Sequence, residues 1–205
     1  FGSKVGSFNA LPAKAVTGVK EVFEIPSGIA VIADSFWSAK KGRDALEVVW
    51  DNSSAMQEGS VEQMRRYREA AEQRGVDAKI IGNPDEGFKH AVKIVEAEYE
   101  FPYLAHSSME PMNCVAKFEA GVIEMWYGCQ GHTMDTYAVA TALGIKPEKV
   151  KINTLFAGGS FGRRANKHSD YVIEAALIAQ GSRRSAPVKL VWTREDDTSS
   201  GYFRP

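Results

Sequence analysis

The sequence predicts an α+β fold, and three observations carry that expectation. Short apolar alternations typical of strands occur among helical segments without a strict strand–helix alternation. Cys114 to Phe118 and Val122 to Tyr127 flank Glu119-Ala120-Gly121, a hairpin pattern. A third strand, Val150 to Leu155, runs into a glycine-rich loop and then a helix. That order describes a mixed sheet and not a repeating dinucleotide-binding fold.

In chain order, the first fifty residues read as a small α/β unit. Val19 to Ile25 is strand-like, Pro26-Ser27-Gly28 is a turn, and Ile29 to Ala33 is a buried apolar strand. A short helix from Phe36 to Ala45 and a strand from Leu46 to Trp50 follow. Asp51-Asn52-Ser53-Ser54 is polar and turn-rich, so the first domain ends at about residue 52 and the second covers 53–205. Ser60-Val61-Glu62-Gln63 fits a capping box opening a polar helix that stops at Gly75. Val92 to Phe101 alternates as a strand. A helix over Met134 to Leu143 closes on Gly144, a residue suited to a left-handed cap, and Pro147 turns the chain into the strand at Val150. A last helix, Ser169 to Gln180, and a strand, Val188 to Trp192, complete the order. No internal repeat or low-complexity segment stands out.

Bulk properties exclude several function classes. The 205 residues carry a net charge of −1, with 44% hydrophobic and 25% charged residues, which removes the electrostatic reason to expect nucleic acid or an anionic membrane as partner. No apolar run approaches the ~20 residues of a membrane helix. The chain starts at Phe1 in a run that reads as mid-domain, so it reads as a fragment of a longer protein whose targeting segment, and hence periplasmic or cytoplasmic location, is unreadable. Cys114 and Cys129 are too few for a disulfide scaffold and read as small buried hydrophobes. Adding His106 and His132 gives a Cys₂His₂ set, but His106-x₇-Cys114 is too wide for a compact zinc knuckle.

The loop Leu155 to Arg164, LFAGGSFGRR, carries the chemistry and admits two readings. Gly158-x-Ser160-x-Gly162 fits a nucleophile elbow, which lifts a serine out of a sheet. That reading needs an acid and then a histidine after the serine, yet only His168 follows Ser160. Alternatively the glycines bring backbone N–H groups close to an anionic cofactor while Arg163 and Arg164 add charge and forked donors. Neither the Walker pattern nor G-x-G-x-x-G is present, and a plain tight connection accounts for the glycines equally well.

Three separated stretches together resemble the molybdenum hydroxylases, the xanthine oxidase and aldehyde oxidase family. They are Glu124-Met125-Trp126-Tyr127-Gly128-Cys129-Gln130, the loop Gly158 to Arg164, and Trp192-Thr193-Arg194-Glu195-Asp196-Asp197. His106 to Asn113 (HSSMEPMN), Phe36 to Ala45, and Gly201 to Pro205 are similar to the subgroup of isoquinoline 1-oxidoreductase beta subunits and bacterial aldehyde dehydrogenases. The resemblance runs over essentially the whole chain.

It implies the later part of a hammerhead-type α/β domain over 1–52 and the first part of a molybdopterin-binding α+β domain over 53–205. By position, Gln130 would hydrogen-bond an oxygen on molybdenum, Phe161 would lie beside metal and substrate, and Gly159, Ser160, Gly162 and Arg163 would line the cofactor. No metal ligand and no catalytic residue is expected in this chain, since the family's catalytic glutamate comes from a later segment. Ser160 stands where the family usually has glycine, and Ala165 where some members carry a substrate-binding glutamate, which weighs against purine substrates. The implied cofactor is molybdopterin, in its cytosine dinucleotide form, with molybdenum. The implied partners are an iron–sulfur small subunit carrying the clusters, the remainder of the large subunit, and a small aldehyde or N-heterocycle hydroxylated with water oxygen. On that reading the chain alone is inactive. A non-catalytic binding module of the same fold is the alternative, followed by a serine hydrolase using Ser160.

Overall fold

A computed structural model describes residues 2–204. These fall into two compact units, residues 2–55 with 104–204, and residues 56–103.

The first unit is α+β. Strand β1 (Lys4–Asn9) pairs antiparallel with β4 (Glu47–Asp51), and β2 (Val19–Ile25) forms a hairpin with β3 (Gly28–Ala33). Helix α1 (Leu11–Lys14) links β1 to β2, and α2 (Phe36–Asp44) links β3 to β4. Ser35 opens α2 by accepting the Ser38 amide at 3.2 Å, satisfying one orphan donor of its first turn. The sequence reading had the last three strands and α2; it missed β1 and α1, whose few apolar residues give no clear period.

A four-stranded sheet ordered β7-β6-β5-β8 forms the rest of the first unit. β5 (Asn113–Glu119) and β6 (Val122–Tyr127) make the expected hairpin, closed by Ala120 and Gly121, both at positive φ as a two-residue hairpin loop prefers. Burial alternates along both strands, with Cys114 and Ala116 facing the core on one and Ile123, Met125 and Tyr127 on the other. Helix α5 (His132–Leu143) then crosses to β7 (Val150–Thr154), which pairs parallel with β6. Gly144, φ 66°, caps α5 in the left-handed conformation expected of it. Helix α6 (Asp170–Gly181) returns the chain to β8 (Val188–Val191), antiparallel to β5 at the other edge. Val139, Ala140 and Leu143 of α5 and Val172, Ala175, Ala176 and Ala179 of α6 close the core over this sheet. The alanines on α6 let it sit near β5, where bulkier side chains would hold it away.

Two expectations are corrected in residues 56–103. Helix α3 spans Ser60–Ala71, but its N-cap is Gly59 and no side chain caps it, so Ser60 lies inside the helix and the expected capping box does not form. Residues 92–101 form no strand. Their alternation supplies two faces, but a strand also needs a neighbour for its backbone groups, and none lies beside it in this unit. A short helix, α4 (Pro84–Lys89), capped by Asn83, was not foreseen.

The charged run Trp192 to Asp197 is not a solvated turn. Helix α7 (Arg194–Ser199) starts there with a reciprocal capping box between Thr193 and Asp196. Thr193 and Asp197 are buried.

Candidate functional site

Topology gathers the candidate residues at one end of the four-stranded sheet. β6 and β7 run parallel, with Tyr127 opposite Thr154, so the segments leaving both strands emerge side by side. The Leu155 amide continues the pairing by donating to Tyr127 O at 2.9 Å. β5 begins, and β8 ends, at the same end of the sheet, with Asn113 opposite Val191. Residues 106–112, 128–131, 155–165 and 192–197 therefore converge. The carboxyl ends of parallel strands are where open sheets place ligands, because outgoing loops there are free of the ladder.

The glycine loop is irregular. Gly159, Phe161 and Gly162 have φ of 95°, 57° and 101°, and Arg163 donates its amide to Ser160 O at 3.0 Å to close the turn. Among the described residues, no protein acceptor takes the amides of Gly159, Ser160, Phe161 or Gly162. Positive φ costs glycine little, whereas at Phe161 it costs on the order of 1–2 kcal/mol. The Phe161 ring lies outside the core, 70% exposed.

Gln130 and the loop meet directly. The Ser160 hydroxyl donates to Gln130 Oε1 and accepts the Arg164 amide at 3.1 Å. Gln130, Gly159, Ser160, Phe161, Gly162 and Arg163 are thus brought to one place. Close packing behind them depends on Gly128, where a Cβ would stand 2.5 Å from Ala157 Cβ.

Segment 106–110 lies under the loop in a regular way. His106 lies against Gly162, Ser108 (with the Phe161 ring) against Gly159, and Glu110 against Gly158, where an added Cβ would stand 2.7 Å from Glu110 Cβ. Side chains at 106, 108 and 110, the first two flanking left-handed Ser107 (φ 47°), thus each meet a loop glycine. Glu110 binds Gly158 at both ends, donating its amide to Gly158 O at 3.1 Å and accepting the Gly158 amide on Oε2. Asn113 Nδ2 donates to Glu110 Oε1 at 2.6 Å. Burial pushes the Glu110 pKa up, but the Asn113 and Gly158 bonds with the Arg164 and Lys189 charges outweigh it, so the carboxyl sits below the usual glutamate range. His106 stacks on Tyr202 with ring centroids 6.1 Å apart. Its burial, and then the Arg204 and Arg163 charges, hold its pKa below the usual histidine range.

The two arginines do not present outward forks, as the sequence had suggested. Arg163 and Arg164 are each 1% exposed. Arg163 donates to both oxygens of Asp170, at 3.1 and 2.8 Å, lies 3.7 Å from Asp197 Oδ1, and covers the Trp192 ring at 5.2 Å. Arg164 donates to Gly159 O at 3.2 Å and Glu110 O at 3.3 Å. Arg194 ties Asp197 to the carbonyls of Ser108 and Met109. Burial raises the Asp197 pKa against the opposing pull of Arg163 and Arg194. Asp196 of α7 also accepts from Arg43 of α2 at 2.7 Å, joining the first fifty residues to this end of the sheet.

Sequence reasoning did not single out Asp135, Asp170 or Ser108. Asp135, 1% exposed, accepts from Tyr127 at 2.8 Å and Ser169 at 2.6 Å, with the Cys129 thiol 3.4 Å away. It pins both helices to the end of β6. The one available signal was an acid on the apolar face of α5. Cys129 is committed there, Cys114 lies in the core, and His132 faces Ile152 O, so the Cys₂His₂ set does not converge. No group of three potential ligands stands ready for a metal among the described residues. Ser160 has no histidine among its hydrogen-bond partners.

The profile of a family described as "Molybdopterin cofactor-binding domain" matches residues 67–205. The chain is 30% identical over its whole length to a "Membrane-bound aldehyde dehydrogenase" (pyrroloquinoline-quinone) of Gluconacetobacter polyoxogenes, covering 27% of that protein. It is 28% identical over 94% of its length to "Isoquinoline 1-oxidoreductase subunit beta" of Brevundimonas diminuta, covering 25% of it. The chain thus spans about a quarter of these curated relatives. The crystal structure of quinoline 2-oxidoreductase from Pseudomonas putida 86 shares the fold with a TM-score of 0.68 at 17% identity, over 95% of this chain and 30% of that one.

Proposed function

Because the chain belongs to the molybdopterin cofactor-binding domain family, we propose that the end of its four-stranded sheet is one wall of a molybdopterin site. The parent enzyme would be a molybdenum-dependent oxidoreductase that hydroxylates an N-heterocycle or oxidises an aldehyde. The observation carrying this reading is the run of four amides, Gly159 to Gly162, with no acceptor among the described residues, joined to the Gln130 carboxamide through Ser160 and followed by the exposed Phe161 ring.

The donor set suits the group. Successive amides around left-handed glycines form a concavity for anionic or strongly accepting oxygens. A carboxamide donates to an oxygen without adding charge. Molybdenum, when bound, supplies a two-electron acceptor and a place to deliver water oxygen to carbon. This chain's residues would hold and orient. The loop amides would hold the cofactor, Gln130 Nε2 would offer a hydrogen bond to an oxygen of the bound group, and Phe161 would pack against a flat substrate. Arg163 stiffens the loop from below, contributing to the site through its backbone and its field.

Glu110, Asp170 and Asp197 are already engaged by loop amides or arginines, so none of them is the general base. We assign that role to a carboxylate from another part of the parent subunit. Residues 1–52 are proposed as the later part of a hammerhead-type domain and 53–205 as the first part of the cofactor domain. The cytosine dinucleotide form of the cofactor, and an iron–sulfur partner that carries electrons away, belong to the same proposal. Cys114 in the core and Cys129 at Asp135 are not placed to ligate a cluster, in keeping with that assignment.

The test is to purify the parent subunit with its natural partner and assay metal, pterin and nucleotide. About one molybdenum per subunit, a pterin released on oxidation, and cytidine monophosphate after hydrolysis are expected. Pyrroloquinoline quinone without molybdenum would overturn the reading.

A further inference from the structure

Ser160 ties its only hydroxyl proton to Gln130, and this decides which edge of the Gln130 carboxamide is offered to a ligand. A serine hydroxyl has one proton to give and two lone pairs to accept with. Here one lone pair takes the Arg164 amide at 3.1 Å, and the proton goes to Gln130 Oε1. In the flipped carboxamide, Nε2 would face the hydroxyl, which would then accept twice and have no acceptor for its own proton among the described residues. The observed orientation satisfies every group in the chain Arg164 N–H to Ser160 Oγ, and Ser160 Oγ–H to Gln130 Oε1. It leaves Nε2 with no acceptor among the described residues, on an exposed side chain.

We infer that Ser160 is a positioning residue. It locks the Gln130 carboxamide with its N–H edge toward the ligand, so that Gln130 acts as a hydrogen-bond donor only. This rests on the molybdopterin reading above and extends it, since a carboxamide free to flip would present a repelling oxygen to an oxygen ligand for part of the time. The backbone around Ser160 supports the role. Gly159, Phe161 and Gly162 are all left-handed, and the Ser160 carbonyl is held by the Arg163 amide, so the hydroxyl projects from a fixed turn. Partners that orient a ligand-contacting group commonly matter by 10–100-fold.

The experiment uses the parent enzyme carrying Ser160→Ala, Ser160→Gly and Ser160→Thr. Neutron diffraction from deuterated, metal-free crystals, which distinguishes carboxamide nitrogen from oxygen, first reports carboxamide orientation without relying on activity. Gln130 should hold one orientation in the wild type and in Ser160→Thr, and should divide between two, or detach from the loop, in Ser160→Ala and Ser160→Gly. In the loaded enzyme, kcat should fall about tenfold for Ala and Gly at unchanged KM and molybdenum content, and Thr should restore it. On a Gln130→Ala background, Ser160→Ala should cost nothing further, because the residue acts through Gln130. A single Gln130 orientation in Ser160→Ala, or independent additive losses in the double variant, would overturn the inference. An absence of molybdenum in the wild type would instead overturn the cofactor reading, while the crystal orientation still tests Ser160.

Discussion

Glu110 and Gly158 bond each other twice, the Glu110 amide to the Gly158 carbonyl at 3.1 Å and the Gly158 amide to the Glu110 carboxylate. A residue 48 positions away thus fixes where the glycine loop begins, and it does so from inside the sheet end.

Glu110→Ala should therefore free the Gly158 amide and lower stability by about 1.5–3 kcal/mol, the range for a hydrogen bond to a charged group. Urea unfolding and amide exchange at Gly158 check this. The Glu110 pKa is lowered on folding, so its contribution is complete above the ordinary glutamate range and is lost as pH falls through the folded value. The stability gap between wild type and Glu110→Gln should accordingly close in acid. A gap that widens there would exclude ionised Glu110 as the clamp.

Phe161 occupies a left-handed conformation with its ring 70% exposed. Phe161→Gly removes little buried surface and relieves backbone strain, so this chain should gain up to about 1 kcal/mol of stability. If the ring packs on substrate, KM in the parent enzyme should rise at the same time. A destabilised Phe161→Gly would show that the ring contributes more to folding than its exposure implies.

Glu174 is a half-buried acid on α6 whose Oε2 accepts from Trp192 Nε1 at 3.1 Å. Burial raises its pKa, with Asp170 adding to the rise, and the Trp192 and Ser27 bonds and Arg163 only partly offset it. A carboxyl raised on folding favours the folded state below its unfolded pKa and loses that advantage as pH rises through the folded value. Glu174→Gln keeps the acceptor for Trp192 without the charge. Its thermal midpoint should exceed that of the wild type at pH 7 and approach it near pH 4. An unchanged difference across that range would rule out the charge as the cause.

The hairpin at Ala120-Gly121, the α5 stop at Gly144, and the strand leading into the loop were legible because each is set by local chemistry: turn residues and a period of two. The convergence of Gln130 on Ser160 was legible only through family resemblance, since it arises from β6 and β7 pairing in parallel, a property of the sheet. Residues 92–101 mark the opposite limit. Their alternation is that of a strand, yet pairing is a long-range event that a single segment cannot specify. The inward turn of Arg163 was hidden for a related reason. Its partners, Asp170 and Asp197, are ordinary acids in sequence and become a buried receptor only when α6 and α7 start beside the loop.

Arg163 offers the sharpest separation of a folding role from a binding role. Its guanidinium is fully enclosed, paired with Asp170 and close to Asp197, and stacked on Trp192. Removing the cation leaves two carboxylates short of their counter-charge in a poorly solvated place, a loss that typically costs on the order of 3–5 kcal/mol. Arg163→Met should therefore destabilise this chain by that amount in urea unfolding, with no cofactor present. Arg163→Lys should recover only part of the loss, since one ammonium cannot bond both oxygens of Asp170 in a fork. Combining Arg163→Met with Asp197→Asn should also recover part, because the second change removes one of the orphaned charges. If the guanidinium instead served the cofactor directly, Arg163→Met would fold with near wild-type stability and lose molybdopterin alone. A destabilisation under about 1 kcal/mol, typical of an exposed ion pair, would favour that alternative over the buried brace.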